Sequence, residues 1–260
     1  MRKKIEAKKS LGQHFLKDEN IARKIADDFL TENNCEVVLE IGPGTGVLTK
    51  YFLQEPSIKF FAIETDARMV VLLRTQFPAI MHSLIYHDFL TFDLKSLNVP
   101  EFSIVGNFPY NISSQILFRV FENKEMIPFV MGMFQKEVAQ RIAAKHGNKA
   151  YGILSVLMQA FYNVEFLFEV GAQSFVPPPK VKSAVISLKR KKISPHIEDE
   201  NFLTALVKAG FNQRRKTLRN SLIKMVSDKN FLKEEIFAKR AEQLSVEEWI
   251  ELANRLLQAV

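Results

Sequence analysis

The segment "EVVLEIGPGTGVLTKYFLQ", residues 36–54, decides the fold class. It begins with a short β-branched apolar run, passes through Gly42, Gly44 and Gly46, and continues with the apolar spacing of a helix. Glycines at a strand-to-helix turn let the backbone turn tightly and come close to a ligand. Val47 stands where a dinucleotide-binding fingerprint has its third glycine, so a pyrophosphate cofactor fits less well. The segment predicts an α/β fold with a ligand at this turn, and a turn without ligand is the alternative.

Strand and helix patterns alternate along most of the chain. The last two apolar runs lie too close together for a crossover helix, so we expect them to form an antiparallel edge pair. The alternation predicts a doubly wound, mostly parallel, Rossmann-like sheet. The predicted strands cover residues 36–41, 58–64, part of 79–88, 102–107, 127–134, 164–170 and 181–190. The predicted helices cover residues 18–30, 47–54, 67–77, 113–122, 135–144, 151–162, 200–211, 215–226 and 245–260.

The composition changes at "KRKKISPHIEDE", residues 189–200, which is rich in charge and reads as a linker. Only helical patterns follow it. We therefore predict two domains: a Rossmann-like catalytic domain with a basic N-terminal arm over residues 1–190, and a small all-helical domain over residues 191–260.

The net charge of +7 is concentrated at the two ends of the chain. Residues 1–24 carry eight Lys and Arg against three Asp and Glu, and residues 189–260 carry fifteen against ten. Two basic ends are suited to binding a polyanion such as nucleic acid. An equally good explanation of the charge is that these lysines serve only solubility.

The chain has no apolar run long enough for a membrane span and no secretory signal, so we expect a cytoplasmic protein with no membrane partner. Its single cysteine, Cys35, excludes an internal disulfide. The five histidines lack ligand spacing, and we expect no metal.

Two acidic residues follow the glycine turn at the ends of predicted strands. Glu64 comes roughly 20 residues after the turn, where a carboxylate accepts hydrogen bonds from the ribose hydroxyls of an adenosine. Asp88 ends the next strand and could accept from an adenine amino group, with Phe89 packed beside the ring. An adenosyl ligand without phosphates fits this set, and S-adenosyl-L-methionine is the cofactor we expect. Each carboxylate alone could be a solvated strand end.

The motif "NFPY", residues 107–110, follows the fourth strand. The N6 amine of adenine is a poor nucleophile, because its lone pair is delocalised into the ring, so an enzyme must hold it with acceptors. The Asn107 side-chain oxygen and the Phe108 carbonyl, restricted by Pro109, can accept the two N6 hydrogens. Tyr110 then offers a face on which an unstacked base can lie.

Two further segments are candidates for contact with RNA. "SFVPPPKVKSAV" stiffens a loop that could present Phe175 as a second aromatic wall, although a turn between edge strands explains it as well. "FNQRRKTLRNSL" groups four cations suited to RNA phosphates, although a solvated helix face is equally compatible. These cations are Arg214, Arg215, Lys216 and Arg219.

The motifs "LGQHFLKD", "LEIGPGTGVLT", "AIETD", "HDFL", "GNFPYNISSQIL", "MFQKEVAQRIAA", "YGILSVLMQ" and "FVPPPKVKSAVI" resemble, in order, those of the KsgA-type ribosomal RNA adenine dimethyltransferases. The resemblance implies a methyltransferase sheet and transfer of two methyl groups from S-adenosylmethionine to N6 of each of two adjacent adenosines. The target lies in a hairpin near the 3′ end of small-subunit ribosomal RNA, within a pre-30S particle, and we expect a monomer with a role in small-subunit assembly.

The resemblance also implies site residues. The cofactor contacts would be His14, Leu16, Gly42, Glu64, Asp88 and Asn107, to which the turn geometry adds Gly44. The target base would lie among Asn107, Phe108, Tyr110 and Phe175. This chain has His14 where the family usually has Asn, and Phe108 where it usually has Leu, and Phe108 acts mainly through its backbone.

Three alternatives remain at this point. The related large-subunit ribosomal RNA adenine methyltransferases that confer macrolide resistance resemble the first domain, but "AAKHGNKAYGILSVLMQ" and "FVPPPKV" favour the small-subunit type. A DNA adenine methyltransferase often carries a separate recognition domain, which we do not find. A non-catalytic RNA-binding assembly factor would not need the intact glycine turn, Asn107 and Tyr110.

Overall fold

The structure is a computed structural model that describes residues 6–258, with only the backbone described at Lys9. Its strands form one seven-stranded sheet, in the order β4-β3-β2-β5-β6-β9-β7, and one two-stranded sheet, β1-β8. The strands are β1 (Phe15–Leu16), β2 (Val37–Ile41), β3 (Lys59–Glu64), β4 (Leu84–Tyr86), β5 (Ser103–Asn107), β6 (Phe129–Gln135), β7 (Tyr162–Val170), β8 (Phe175–Val176) and β9 (Ser183–Arg190).

Nine α-helices accompany the strands in the described residues. Several begin at an aspartate whose carboxylate accepts from the first backbone amides, as Asp18 does from Asn20 and Ile21. The helices are α1 (Glu19–Glu32), α2 (Thr49–Phe52), α3 (Ala67–Gln76), α4 (Ser113–Glu122), α5 (Lys136–Ala143), α6 (Ile153–Phe161), α7 (Glu200–Asn212), α8 (Leu218–Ser221) and α9 (Val246–Gln258).

The predicted doubly wound, mostly parallel sheet is confirmed. β2 pairs in parallel with β3 on one side and with β5 on the other, and β4 and β6 extend the sheet outward. Because right-handed crossovers in opposite directions place their helices on opposite faces, both faces of the sheet are covered. The strand order reverses between β2 and β5, which is where open α/β sheets bind ligands beyond the carboxyl ends of their strands.

The last two long strands lie at one edge of the sheet, as predicted. β9 pairs antiparallel with β6 over seven residues, from Phe129 opposite Lys189 to Gln135 opposite Ser183, and β7 forms the outermost strand. The chain inserts β9 between β6 and β7, which a simple reading of strand order along the sequence does not reveal.

The two-stranded sheet is a feature that the sequence did not predict. β1 and β8 pair antiparallel, with Leu16 opposite Phe175 and Phe15 opposite Val176. The "FVPPPKV" segment therefore holds the chain that precedes α1, and it is more than a turn between edge strands.

The described chain divides into two compact units. One comprises residues 6–139 and 165–190, and the other residues 140–164 and 191–258. One of the three boundaries lies between residues 190 and 191, where the sequence analysis divides the two domains, but residues 140–164 group with the C-terminal helices. The reason is that α6 packs on α7 and α9.

The C-terminal helical prediction is correct for α7 and α9 and wrong for residues 215–226. Only Leu218–Ser221 forms an α-helix there, and short 3-10 turns follow at 231–233, 235–238 and 241–243. Thr217 forms an isolated antiparallel bridge with Arg240, and the Leu218 amide donates to the Lys239 carbonyl at 2.8 Å. These long-range bonds keep Thr217 extended directly before the short helix, at a position where the periodicity predicts a helix.

No helix in the described residues is both long enough and apolar enough to cross a membrane.

Glu40 is a buried carboxyl group within the sheet. It lies next to the carboxyl end of β2, is 1% exposed and accepts a hydrogen bond from the Thr49 hydroxyl at 2.6 Å. Burial raises the pKa of Glu40 from its ordinary value of 4.5 to about 8, and the nearby carboxylate of Glu64 adds to this increase. The folded protein therefore keeps a proton on Glu40 at neutral pH.

This proton makes stability depend on pH in a predictable direction. Because the folded state holds the proton between pH 4.5 and about 8 while the unfolded chain has lost it, stability falls as the pH rises through this interval. The substitution Glu40→Gln should remove that loss and stabilise the protein relative to wild type by on the order of 3 kcal/mol at pH 7. The advantage should vanish near pH 4. Denaturant unfolding of both proteins across this range checks the prediction, and parallel pH profiles would contradict it.

Candidate active site

One cavity at the carboxyl ends of β2, β3, β4 and β5 collects most of the residues that the sequence singled out. The predicted residues that line it are His14, Leu16, Gly42, Gly44, Glu64, Asp88, Asn107, Phe108, Pro109 and Tyr110. The predicted site residues that do not line this cavity are Phe89, Phe175 and the four cations of residues 214–219.

The glycine turn has the backbone geometry that the sequence predicted. Gly42 and Gly44 have φ angles of +66° and +55°, a conformation that side-chain-bearing residues rarely adopt. The Gly42 amide donates to the Ile63 carbonyl at 2.9 Å, which fixes the end of β2 against β3. The turn therefore presents its backbone directly to the cavity.

Glu64 ends β3 and holds this turn in place. One carboxylate oxygen accepts from the Gly44 amide at 3.1 Å, and the other accepts from the amides of Thr65 at 2.9 Å and Asp66 at 2.8 Å. The side chain is 5% exposed, and burial raises its pKa although the three hydrogen bonds act in the opposite direction. A carboxylate offers about four acceptor positions, so three are in use within the protein and one remains for a ligand hydroxyl.

The charge of the cavity decides which ligands it can take. Three carboxyl groups line it, those of Glu40, Glu64 and Asp88, and its lining in the described residues contains no Lys or Arg. A phosphate-bearing cofactor would meet repulsion there and would find no cation to pair with. A nucleoside that carries positive charge and no phosphate fits the same groups, which is the chemistry of S-adenosylmethionine. The residues present therefore suit this cofactor.

Asn107, at the end of β5, has a side-chain amide whose orientation is fixed by its partner. Its Nδ2 donates to the backbone carbonyl of His14 at 2.9 Å. Because a carbonyl can only accept, the amide nitrogen must face His14, and Oδ1 is left as a free acceptor. The predicted acceptor of Asn107 is thus oriented by the segment before α1, a contact that sequence reasoning missed.

Phe108 is anchored below the cavity by its ring. The side chain is 1% exposed, and it packs edge to face on Phe134 with ring centroids 5.0 Å apart. The ring occupies space that two glycines leave open, since a Cβ on Gly132 would come within 2.1 Å of it and one on Gly106 within 2.8 Å. No hydrogen bond to the Phe108 carbonyl is present in the described residues.

Tyr110 has a neighbour on its ring and another on its hydroxyl. The His14 ring stacks on it with centroids 5.3 Å apart and an interplanar angle of 27°, and the His14 Nδ1 lies 2.8 Å from the Pro177 carbonyl oxygen. The hydroxyl forms a short hydrogen bond with the Ser183 hydroxyl, and burial raises the pKa of Tyr110. The phenol is therefore neutral at physiological pH and held in one orientation.

Two predicted aromatic contacts need correction. Phe175 is 1% exposed and belongs to the main hydrophobic core, because β8 pairs with β1 and turns this ring inward. Phe89 is 3% exposed and packs beneath the Arg119 guanidinium, 5.6 Å from the ring centroid. Neither ring lines the cavity in this structure.

A polar cluster beside the glycine turn was not predicted. Asp66, which is 2% exposed, accepts from Arg68 at 2.6 Å and from the Gln13 amide at 3.0 Å. The Arg68 guanidinium holds the pKa of Asp66 well below its usual range. This cluster fixes the chain before His14, and the only sequence signal for it was the "LGQHFL" motif itself.

The predicted cations of the C-terminal unit divide into two pairs. Arg214 donates to the carbonyls of Lys149 at 2.8 Å and Tyr151 at 2.9 Å, and Arg219 donates to the Leu232 carbonyl at 2.8 Å. These two side chains stabilise loops of their own unit. Arg215 and Lys216 are exposed and have no ion pair in the described residues.

In the part of the chain that the structure describes, no group of three or more His, Cys, Asp or Glu side chains is suited to a metal ion.

Comparisons with known proteins agree on one family. A family model described as "Ribosomal RNA adenine dimethylase" matches residues 4–258. The "Ribosomal RNA small subunit methyltransferase A" of Cytophaga hutchinsonii is 52% identical over 97% of this chain and 98% of its own length.

Two solved structures have the same fold over nearly the whole chain. A dimethyladenosine transferase from Plasmodium falciparum has a TM-score of 0.77 at 25% identity and covers 94% of this chain and 98% of its own. The 23S rRNA methyltransferase ErmE has a TM-score of 0.66 at 26% identity and covers 94% of this chain and 100% of its own. Because the family model spans all but the extreme ends of the sequence, the chain belongs to the ribosomal RNA adenine dimethylase family.

Proposed function

We propose that this protein transfers methyl groups from S-adenosylmethionine to N6 of two adjacent adenosines in a hairpin near the 3′ end of small-subunit ribosomal RNA. The observation that carries the proposal is the orientation of Asn107. Its amide nitrogen is bound to the His14 carbonyl, which leaves its oxygen as an unpaired acceptor on a residue that lines a cavity suited to a cationic nucleoside. The relative of Cytophaga hutchinsonii, which bears the name of a small-subunit enzyme, supports this choice of substrate.

S-adenosylmethionine, when bound, supplies an electrophilic methyl group on a sulfonium centre. Glu64 would accept from the ribose, and Asp88, whose other oxygen accepts from the Leu90 amide at 2.9 Å, would accept from the adenine amino group. His14, Leu16, Gly42 and Gly44 would complete the walls of the cofactor site. The acidic lining would stabilise the positive charge of the ligand.

The target amine needs acceptors because its lone pair is delocalised into the adenine ring. Asn107 Oδ1 and the Phe108 carbonyl would accept the two N6 hydrogens and favour a geometry in which the lone pair points at the methyl group. Neither group is a base, so the residues orient the amine and do not deprotonate it beforehand. After the first transfer the amine keeps one hydrogen. In the second transfer it would therefore donate to only one of the two acceptors.

The target base would have left its own stack and would lie on Tyr110. Since the His14 ring covers one face of the Tyr110 ring, the base would stack on the opposite face. The buried position of Phe175 means that a second aromatic wall would need a rearrangement of β8.

The wider contacts with the substrate are also proposals. Arg215 and Lys216, which have no ion pair in the described residues, would bind RNA phosphates. The basic N-terminal arm would bind further phosphates. Residues 1–5 of this arm lie outside the described residues. We further propose a monomer that acts in the cytoplasm on a pre-30S particle and contributes to assembly of the small subunit.

The large-subunit methyltransferase is the rival within the same fold. ErmE resembles this chain at 26% identity, against 52% for the small-subunit relative, and its TM-score of 0.66 is below the 0.77 of the dimethyladenosine transferase. These comparisons favour small-subunit RNA as the substrate.

The central experiment measures methyl transfer by Asn107→Ala. Loss of the oriented acceptor should lower turnover on under-methylated small subunits by about a hundredfold or more, a cost on the order of 3 kcal/mol in the transition state. Radiolabelled S-adenosylmethionine and mapping of the product give the rate and the site. Asn111→Ala, which removes the same side chain from the same cavity lining, is the control. Wild-type turnover by a folded Asn107→Ala protein would refute the role.

A second test separates the ring of Tyr110 from its hydroxyl. Tyr110→Phe should retain activity, whereas Tyr110→Ala should lose roughly 1–3 kcal/mol of binding to the base, because stacking needs only the ring. Ser183→Ala removes the same hydroxyl contact from the other side and should behave like Tyr110→Phe. If Tyr110→Phe is as inactive as Tyr110→Ala while Ser183→Ala is active, the phenol takes part in the chemistry.

A third test compares the two strand-end carboxylates. Glu64→Ala should weaken S-adenosylmethionine binding by roughly 1–3 kcal/mol and also lower the melting temperature, because three backbone amides lose their acceptor. Asp88→Ala should weaken cofactor binding with little change in melting temperature, since this side chain is exposed. Calorimetry and thermal unfolding give both quantities. An unchanged cofactor affinity in either variant would show that its carboxylate does not contact the ligand.

A further inference from the structure

The C-terminal unit contains a second cavity, far in sequence from the glycine turn. We refer to it as the α9 cavity, because the first turn of α9 forms one wall. The residues of its lining that matter here are Lys145, His146, Tyr151, Lys191, Val246 and Glu247. All of them belong to the unit of residues 140–164 and 191–258.

The balance of charge in the α9 cavity is positive. Lys145 and His146 are exposed, and Lys191 is partly buried with its backbone amide bound to the Phe161 carbonyl at 2.8 Å. Neither lysine has a carboxylate within ion-pair distance in the described residues. Among the described residues of the lining, Glu247 is the one acidic side chain, and it is exposed.

The start of α9 adds backbone donors to these cations. The amide of Glu248 is capped by the Ser245 hydroxyl at 3.1 Å, whereas the amides of Val246 and Glu247 have no acceptor within the helix. Glu248, the other carboxylate of this turn, is paired with Lys239 at 2.7 Å. The start of a 13-residue helix, which carries a partial positive charge, therefore forms part of the cavity wall.

Tyr151 adds an unpartnered polar group to the lining of the α9 cavity. The residue is 0% exposed, and its hydroxyl is buried with no hydrogen-bond partner in the described part of the chain. Burial raises the pKa of Tyr151, and Glu247 and Glu248 raise it further, so the hydroxyl is a neutral donor that lies near the first turn of α9. A buried hydroxyl without a partner is destabilising, and an acceptor oxygen in the cavity would satisfy it.

We propose that the α9 cavity binds one phosphate group of the RNA backbone, held by Lys145, Lys191, the Tyr151 hydroxyl and the free amides at the start of α9. A phosphodiester has the charge and the several acceptor oxygens that these donors require. RNA is favoured over an acidic protein segment because the proposed function, on which this inference rests, places the chain on a ribosomal particle. The site is distinct from Arg215 and Lys216.

A pair of matched double variants tests the site. Lys145→Ala with Lys191→Ala should weaken binding to under-methylated small subunits by about tenfold and lower the slope of log affinity against log salt by about one. Lys149→Ala with Lys192→Ala removes the same charge from exposed neighbours outside the cavity lining and should have a clearly smaller effect. Equal effects of the two double variants would overturn the proposal.

Tyr151→Phe gives a readout that a structural role would not produce. It deletes only the unpartnered hydroxyl, so the free protein should melt at a higher temperature while its affinity for the particle falls by a few fold. Inorganic phosphate at millimolar concentration should shift the amide resonances of Val246 and Glu247 in wild type, and the shifts should weaken in this variant. Higher stability with unchanged particle affinity and unchanged phosphate shifts would overturn the role of the hydroxyl.

The outcomes separate this inference from the proposed function. If wild type methylates the particle while the cavity variants match their controls, the α9 cavity proposal alone fails. If wild type neither binds nor methylates particles, the proposed function fails, and the phosphate titration still reports on the cavity. If the cavity variants lose affinity for particles but bind protein-free RNA as wild type does, the partner is an acidic protein surface and the RNA proposal is wrong.

Discussion

The carboxylate of Glu64 is the contact on which the site depends. It receives three backbone amides from two different segments, the glycine turn after β2 and the first residues after β3. A residue at the end of β3 thereby fixes the shape of the glycine turn that follows the neighbouring strand, β2. Without these bonds the amides would be buried without acceptors, and the turn would have no reason to keep its left-handed backbone. The cofactor wall is thus a product of sheet geometry and of one buried charge.

Placing carboxyl groups in a cavity without cations has an electrostatic cost. The protein limits it in two ways: Glu40 keeps its proton, and Glu64 is surrounded by amide dipoles. Asp88 remains in contact with water. The result is a site that carries little repulsion when empty and gains attraction when a positively charged nucleoside enters. Selectivity against nucleotides then follows from charge, without a residue devoted to excluding phosphate.

The sequence predicted the parts of the site that follow from sheet order. Gly42, Glu64, Asp88 and Asn107 stand at or just after strand ends, and parallel strands bring such positions to one edge of the sheet. The segment of Gln13 and His14 could not be placed in this way, because it crosses to the cavity by contacts with Asp66 and Asn107 that no periodicity encodes. Glu40 was recognisable in principle as a lone acid in an apolar strand.

Local pattern failed where distant segments decided the structure. Phe175 lies in a proline-rich stretch that suggests exposure, yet pairing with β1 directs its ring into the core. Residues 215–226 have helical periodicity, yet only Leu218–Ser221 forms an α-helix, and the bridge from Thr217 to Arg240 keeps the chain extended just before it. The α9 cavity has no local signature either, since its cations come from two segments of the chain that meet only in the folded unit.

The Phe108 ring makes two positions of the chain interdependent. It fills the volume left by Gly106 and Gly132. A side chain could enter at position 132 only if the ring became smaller at the same time, because an added Cβ would overlap it. Either change alone would leave a clash or a void directly beneath the loop that positions Asn107 and Tyr110. Grafting this loop onto a related scaffold would therefore require the two glycines to be transferred with it.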